Sequence, residues 1–388
     1  MSSTSWVATA LLLSSSCFYL FLLQGADGAA PAVQVGNISR VEDAQYFHIY
    51  YGQSFKVIKN SIDGKSYLLM QSNSRMASKA KYCTGRIKSF VIPLSNYSLD
   101  TSTPGLPVSF FELLGLLEGL KGITSDSVTS GCALRSLSSG STVMVNKTDA
   151  PLLKQFTAHF VSIVDEERAC NYAAFMPMQE ITPLQVVKSN YLCLTNMAAN
   201  QTARFKPVVA WVEYNKGIWS FAKESYKQQL VTDAGGENVD DSIASNSYVV
   251  SNPDDMDNFH AILCTIDVVI DQTSAPAPGQ YTLSTFMENV DVSDNSCFVF
   301  LTNQSLWRYD KRVRASASGG QAVDWFDGAI SQPQLVLADL IEAFFPTGNY
   351  TTTFLRNLAK GEEVAEVGSE TCERSSSAPL EPTIVPCQ

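Results

Sequence analysis

A strand–loop–helix–glycine pattern occurs twice in this 388-residue chain, and it restricts the possible folds more than any other feature. In residues 206–239 an apolar run follows Pro207, an aromatic-rich loop comes next, and a helical segment stops at Gly235 and Gly236. Residues 90–125 repeat the layout. Such segments are typical of βαβ units. Two of them predict two α/β lobes with parallel strands, facing each other across a cleft.

A long helix is predicted between the two lobes. Thr182 followed by Pro183 suits a helix N-cap and first helical position, and apolar residues then recur at helical spacing for about 20 residues. The turn signal Asp63-Gly64 lies between two β-rich segments and predicts an N-terminal β-hairpin. We therefore expect an α/β fold with two Rossmann-like lobes joined by one long backbone helix. The predicted segments are a signal peptide (1–30), a hairpin segment (31–80), a first lobe (81–180), the backbone helix (181–205), a second lobe (206–350) and a polar tail (351–388).

The N-terminus predicts export. Residues 6–23 are largely apolar and small residues follow at 25–30, although no Lys or Arg precedes Arg40. After the signal the chain keeps eight cysteines, an even number that suggests disulfides whose pairing is open; one option joins Cys372 to Cys387 within the tail. We expect a secreted glycoprotein, because six N-x-S/T sequons follow the signal. They are Asn37, Asn96, Asn146, Asn200, Asn303 and Asn349.

Charge and motifs exclude several classes of function. The net charge of −11 argues against nucleic acid or an anionic membrane as a partner. After the signal, no stretch approaches the length of a membrane span. No hydrolase elbow, zinc-protease motif or phosphate loop is present, and none of the three histidines lies in a catalytic motif. We expect a non-enzymatic, monomeric protein with no cofactor and no metal bound by its own side chains.

Aromatic residues give the candidate site. Trp211, Tyr214 and Trp219 are predicted at one strand end, and Trp325 and Phe326 in a later loop. Core packing would explain any one of them. As a set they occupy loops after strands, where ligands bind in α/β sheets. Arg308, close to them in sequence, would suit a planar or anionic small ligand.

Four segments in order resemble one known family. They are FFELLGLLEGLKGITS, EITPLQ with its long helix, LVTDAGGENV, and VDWFDGAISQPQLVLADLIEAFFP, and the likeness covers most of residues 80–350. Together they resemble the helical-backbone (class III) periplasmic binding proteins, which capture iron siderophores, haem, cobalamin or metal ions for ABC transporters. Within that family the sequence is most similar to a plant-type branch of secreted relatives.

The resemblance implies two lobes with little hinge motion and a small ligand, such as an iron chelate, haem or another tetrapyrrole, or a cobalamin-like compound, in the cleft. It places Trp325 and Phe326 at the ligand, together with Glu180, Tyr97 and Ser125. Three scattered histidines depart from the metal-binding members, and the cysteines and sequons depart from bacterial ones. If the source is eukaryotic, the usual ABC transporter partner would be lacking.

Two alternatives remain open. An extracellular hydrolase would use cleft carboxylates, such as Glu180, Glu213 or Asp324, as a pair at working distance. An interaction module would have kept the fold and lost its ligand, and its cleft would be filled by its own side chains.

Overall fold

The computed structural model describes residues 46–79, 81–102, 106–161, 172–174, 182–201, 205–244, 246–292, 297–316, 319–348 and 350–387. Within these residues the strands form sheets of four, five, seven and three strands. The five- and seven-stranded sheets are the centres of two α/β lobes, and a 20-residue helix lies between them in the chain. The predicted fold class is therefore confirmed.

An N-terminal sheet precedes the first lobe. Its strands pair in the order β1-β2-β3-β4, antiparallel except for the last pair. The Asp63-Gly64 turn joins β2 to β3, as predicted. The elements are β1 (Phe47–Tyr51), β2 (Phe55–Asn60), β3 (Ser66–Gln71), α1 (Arg75–Lys79) and β4 (Ile87–Ile92). Phe90 lies in β4, which pairs with β3 of this sheet, and the first strand of the five-stranded sheet follows at Tyr97–Leu99.

The first lobe has an all-parallel sheet in the order β7-β6-β5-β8-β9. Its elements are β5 (Tyr97–Leu99), α2 (Val108–Leu113), β6 (Leu120–Ile123), α3 (Gly131–Ser138), β7 (Val143–Met144), α4 (Ala150–Leu153), β8 (Ala158–Val161) and β9 (Tyr172–Ala174). Tyr97, Leu99 and Phe111 share one core cluster with Tyr67 and Phe90 of the N-terminal sheet. The N-terminal sheet therefore packs onto this lobe.

Helix α5 (Thr182–Gln201) follows and leads to the second lobe. The large sheet there has the order β13-β11-β10-β14-β15-β18, with β12 paired to β10, and a small sheet has the order β17-β16-β19. The strands are β10 (Val208–Asn215), β11 (Ile218–Phe221), β12 (Glu237–Asn238), β13 (Ser247–Val249), β14 (Val268–Asp271), β15 (Leu306–Arg308), β16 (Arg312–Ala315), β17 (Gln321–Val323), β18 (Arg356–Asn357) and β19 (Ala365–Glu366). The helices are α6 (Ser225–Asp233), α7 (Asp241–Ala244), α8 (Pro253–Leu263), α9 (Leu283–Val290), α10 (Val299–Thr302), α11 (Gly328–Ser331) and α12 (Pro333–Phe344). Short 3₁₀ turns occur at Leu117–Gly119, Pro278–Gln280, Asp324–Phe326 and Ser369–Thr371.

Strand β10 is apolar on both faces because both faces of its sheet are covered. Val209 and Trp211 pack in one core cluster with residues of α5 and α12, and Ala210 and Val212 pack in another with residues of α8 and α9. Alternate side chains of a strand point to opposite faces, so a continuous apolar run is what such a central strand requires.

Two local predictions in the second lobe are wrong. Trp211, Tyr214 and Trp219 do not lie in a loop; they lie on the antiparallel hairpin β10–β11. Lys216 and Gly217 both have positive φ, which is the two-residue turn that joins twisted antiparallel strands. The apolar run at 297–301 predicts a strand from sequence alone, but Val299–Thr302 is a helical turn and the strand follows at Leu306–Arg308.

The disulfides differ from the suggested Cys372–Cys387 pair. In the described part of the chain the pairs are Cys132–Cys372, Cys193–Cys387 and Cys264–Cys297. Two of them tie the C-terminal segment to the first lobe and to α5, so its cysteines hold that segment in place. None of the helices in the described residues is both long enough and apolar enough to cross a membrane.

Candidate functional site

A cavity of about 830 Å³ lies between α2, α5, α6 and the segment from the Asp324–Phe326 turn to the start of α12. Both the first lobe and the second contribute to its walls. Most of its lining is apolar or aromatic. The lining residues are Phe110, Val187, Lys188, Tyr191, Leu192, Tyr226, Gln229, Leu230, Trp325, Phe326, Ala329, Ile330, Ser331, Pro333 and Val336.

Trp325 and Phe326 contribute to this cavity in different ways. Trp325 is 6% exposed, and its ring packs 5.5 Å from that of Trp211 and 5.9 Å from that of Tyr309. Phe326 is 60% exposed and touches Tyr309 edge to face at 5.7 Å. Trp325 therefore forms a fixed surface, whereas Phe326 leaves most of its ring available for contact with a ligand.

Asp324 fixes the loop that carries these two aromatics. Its carboxylate forms an ion pair with Arg312 Nε at 2.8 Å and accepts from the Gly328 backbone N–H at 3.0 Å and from the Thr129 hydroxyl. A Cβ on Gly328 would lie 2.6 Å from an Asp324 carboxylate oxygen, so this close approach requires glycine.

Asp327 ties the same loop to the first lobe. Its Oδ1 accepts from the Ser109 backbone N–H at 2.8 Å, and its Oδ2 accepts from the Thr129 backbone N–H at 3.3 Å. The Ser109 hydroxyl donates to the Asp327 carbonyl at 2.7 Å. Burial, with the nearby charge of Asp324, raises the pKa of the Asp327 carboxyl. We call Ser109, Thr129, Asp324 and Asp327 the inter-lobe clamp.

A second polar group lies on the α5–α6 side of the cavity. The Tyr191 hydroxyl donates to Asp233 Oδ2 at 2.6 Å, and Gln229 Nε2 donates to Asp233 Oδ1 at 2.7 Å. Burial raises the pKa of Tyr191, and the Asp233 carboxylate adds to that rise. Tyr191 therefore stays protonated and holds α5 against α6.

Three predicted site residues lie in cores or buried networks away from the cavity. Trp219 is 0% exposed, packs on Phe259 at 5.3 Å and donates its Nε1–H to the Asn289 carbonyl at 2.9 Å. Tyr97 is buried, and its hydroxyl donates to the Leu116 carbonyl. Arg308 lies in a buried ionic network, and we include none of the three in the proposed site.

Arg308 belongs to a buried ionic network at the ends of β14 and β15. It is 1% exposed, its Nη1 lies 2.6 Å from Asp271, its Nε lies 2.7 Å from Asp310, and its Nη2 donates to the Thr273 carbonyl. Arg356 completes the network through Asp310 at 2.9 Å. The guanidinium is occupied by protein partners, so it is not placed to bind an anionic ligand.

The other predicted residues are closer to the site or outside the described residues. Trp211 packs against Trp325, and the Tyr214 ring packs against that of Trp219 at 5.3 Å in a tilted arrangement. The Ser125 backbone forms two hydrogen bonds with the Thr101 hydroxyl, and the side chain does not line the cavity. Glu180 lies outside the described residues.

Strand ends of the two lobes are joined directly. Arg314 donates to the Asp126 backbone carbonyl, and the Ser316 hydroxyl donates to the Asp126 carboxylate at 2.8 Å. Together with the inter-lobe clamp, these contacts bridge the lobes close to the strand ends. The open space lies beside them, along α5.

No catalytic arrangement is evident within the described residues. Ser98 Oγ and His159 Nδ1 are 2.8 Å apart, but both side chains are buried inside the first sheet, and burial lowers the pKa of His159 to about 4. Asp324 is held in the clamp, and Glu213 accepts from Gln272 at 3.2 Å; neither carboxylate lines the cavity. Among the same residues, no group of three His, Cys, Asp or Glu side chains is arranged to hold a metal.

Sequence reasoning missed the helical walls. Tyr191 was not predicted as a site residue, and neither were Leu192, Tyr226 and Ile330. All three of these are about half exposed. Large exposed apolar residues that converge on one place signal a binding surface, but only the structure shows that these converge.

The sequons differ in accessibility. Asn146, Asn200 and Asn303 are exposed. Asn96 is partly buried and its Nδ2 donates to the Gln155 carbonyl at 3.1 Å. Asn37 and Asn349 lie outside the described residues.

No protein-family model and no curated protein sequence matches this chain. Solved structures do. CeuE from Helicobacter pylori with Ni(II) bound is 9% identical with a TM-score of 0.42, covering 66% of this chain and 85% of that one. A periplasmic solute-binding protein from Veillonella parvula is 11% identical with a TM-score of 0.44, covering 66% and 83%. A periplasmic heme-binding protein from Pseudomonas aeruginosa is 12% identical with a TM-score of 0.41, covering 71% and 100%.

The structure is thus similar to those of periplasmic solute-binding proteins, the class that the sequence motifs resemble. TM-scores below 0.5 and identities of 9–12% give no basis for carrying a ligand or an activity from those proteins to this chain.

Proposed function

We propose that this protein is a non-enzymatic binding protein for a largely apolar, ring-containing small molecule, held in the cavity between α5, α6 and the loop of Trp325 and Phe326. The observation that supports this proposal most directly is the cavity itself. Its volume of about 830 Å³ lies within the roughly 300–1,000 Å³ of ordinary ligand sites. Its aromatic walls offer stacking surface, and its few polar groups are held in place by other residues.

The chemistry of the walls narrows the ligand class. The lining residues include no His, Cys, Asp or Glu, counting only residues that the structure describes. Apart from the phenol oxygens of Tyr191 and Tyr226, the described lining residues offer no common metal ligand, so a metal chelate would bring most of its own metal ligands and bind chiefly through its organic surface. Haem, corrins and ferric chelates with aromatic groups fit this requirement, as do metal-free polycyclic molecules.

Phe326 gives the sharpest test. We expect Phe326→Ala to raise the Kd of any cavity ligand about tenfold, which corresponds to about 1.4 kcal/mol and is in the range of an aromatic contact. Phe205→Ala is the matched control, since Phe205 is similarly exposed (57% against 60%) and does not line the cavity.

The measurement is a thermal-shift and fluorescence-quenching screen of haem, cobalamin, ferric chelates and metal-free polycyclic aromatics, followed by titration of the two variants. Trp325 is among the lining residues, so a cavity ligand should quench its share of the total tryptophan emission. If no compound raises the melting temperature, or if both variants bind equally well, the cavity is not the binding site.

Export through a eukaryotic secretory pathway, without an ABC transporter partner, is a further part of this proposal. The disulfides and the exposed sequons support it. We expect a chain secreted from a eukaryotic host to lose mass on treatment with peptide-N-glycosidase, and Asn146→Gln, Asn200→Gln and Asn303→Gln each to remove one step of that loss. A chain that stays inside the cell, or carries no glycan, would contradict this assignment.

A further inference from the structure

The C-terminal segment 369–387 crosses both lobes, and two disulfides hold it. Cys372 is bonded to Cys132 in α3 of the first lobe, and Cys387 is bonded to Cys193 in α5. These bonds join residues 240 and 194 positions apart. We call residues 372–387 the strap.

The first half of the strap is fixed to the first lobe. Arg135 donates to the Cys372 carbonyl at 2.8 Å, and Arg374 lies 2.5 Å from the carboxylate of the buried Glu112. The Leu380 N–H donates to the Glu112 carbonyl at 2.9 Å. Glu112 lies in α2, the helix that also carries Ser109 of the inter-lobe clamp.

The second half is fixed to α12 and α5. The Thr383 N–H donates to Gln332 Oε1 at 3.0 Å, and Gln334 Nε2 donates to the Thr383 carbonyl at 2.9 Å. The buried Asn190 accepts from the Val385 N–H at 2.9 Å and donates to the Val385 carbonyl at 2.8 Å, as a neighbouring strand would.

These contacts lie on one flank of α5, and the cavity lies on the other. An α-helix turns about 100° per residue, so Asn190, Cys193 and Met197 share one flank. Lys188, Tyr191 and Leu192, which line the cavity, lie on the other side of the helix, and Val187, also in the lining, lies at the boundary three residues before Asn190. Tyr350 adds to the strap flank, because its hydroxyl contacts Met197 Sδ at 3.3 Å and the Pro386 carbonyl at 2.8 Å.

We propose that the strap is a positioning device that presses α5 against α12 and the first lobe and so fixes the width of the cavity. On the cavity side, α5 is held to α6 by the Tyr191–Asp233 hydrogen bond. On the other side, the strap supplies two hydrogen bonds and a covalent bond. Binding would then occur in a preformed site without hinge opening between the lobes. The effect on ligand affinity rests on the function proposed above, whereas the effect on α5 does not.

The test removes one covalent bond of the strap. We compare Cys193→Ser/Cys387→Ser with Cys264→Ser/Cys297→Ser, which removes a disulfide inside the second lobe that contacts neither the strap nor the cavity lining. Asn190→Ala, which keeps the disulfide and loses both hydrogen bonds to Val385, is the milder strap variant. The measurements are hydrogen exchange of α5 by mass spectrometry and the Kd of a cavity probe found in the screen.

We expect α5 amides to exchange at least tenfold faster in both strap variants, and the Kd of the probe to rise at least tenfold, with neither change in the control. Unchanged α5 exchange in the strap variants, or equal acceleration in the control, would overturn the proposal. If Cys193→Ser/Cys387→Ser fails to fold, the α5 hydrogen exchange of Asn190→Ala tests the proposal in its place. Faster α5 exchange in a protein that binds no probe would support the strap and contradict the proposed ligand site.

Discussion

The inter-lobe clamp offers the most direct test of how this protein holds its site together. Asp327→Ala removes the acceptor for two buried backbone N–H groups, those of Ser109 and Thr129. Each unpaired buried donor costs about 1–3 kcal/mol. The Thr129 bond is long at 3.3 Å, so we expect a loss of about 3 kcal/mol in the free energy of unfolding.

Asp327→Asn separates hydrogen bonding from charge. The amide oxygen can still accept from the Ser109 N–H, and the amide N–H₂ can donate to the Thr129 hydroxyl, so the loss is limited to the long 3.3 Å bond from the Thr129 N–H. We therefore expect Asp327→Asn to stay within about 1 kcal/mol of the wild type near pH 7. Urea unfolding followed by circular dichroism gives both values.

The contribution of Asp327 to the free energy of unfolding should change with pH in one direction. The pKa of Asp327 is raised in the folded state, chiefly by burial, so the folded protein binds this proton more tightly than the unfolded chain. This added stability is fully present at pH values below the usual pKa of an aspartate. It is lost as the pH rises through the raised pKa of Asp327. We subtract the unfolding free energy of Asp327→Asn from that of the wild type. This difference should fall as the pH rises above the usual pKa of an aspartate.

Because the clamp positions the loop of Trp325 and Phe326, Asp327→Ala should also weaken binding of a cavity probe more than Asp327→Asn does. An Asp327→Ala protein within 1 kcal/mol of the wild type, in about the range of ordinary surface substitutions, would refute this account. A difference in unfolding free energy between the wild type and Asp327→Asn that rises with pH would refute it as well.

Two further substitutions test the assignments made in the second lobe. Arg308→Met should cost about 3–5 kcal/mol in unfolding free energy, because it leaves the buried carboxylates of Asp271 and Asp310 short of their partner; a surface-like loss in the same urea assay would contradict the buried network. Trp211→Phe should cost about 1–3 kcal/mol from the volume that phenylalanine leaves unfilled, with nothing added for a lost hydrogen bond, since the indole Nε1 has no hydrogen-bond partner within the described structure. A larger loss in melting experiments would show that this nitrogen is paired.

Much of the second lobe could be predicted from local pattern. The apolar run at 208–212 became part of β10, the glycine pair ended α6, and the apolar segment from Pro333 became α12. Periodicity and helix stops act within a few residues of each other, so the sequence displays them directly. The hairpin after β10 was missed because Lys-Gly is a weaker turn signal than Asn-Gly.

The candidate site could be predicted from the sequence only in part. Trp325 and Phe326 were identified from a motif, and the structure places both in the cavity wall. Trp219 and Arg308 have the same residue chemistry as good ligand-binding groups, yet one is packed among phenylalanines and the other is paired with two aspartates. An aromatic ring or a guanidinium is equally suited to a core and to a cleft, so composition alone does not separate them.

The sequence by itself determined the two α/β units, the long helix between them and the aromatic loop at 324–327. Only the tertiary structure decided which cysteines pair, which aromatics are buried, and where α5, α6 and the loop leave space unfilled. The physical reason is range: helix and strand formation depend on neighbours along the chain, whereas a cavity and a strap depend on contacts between residues about 200 positions apart.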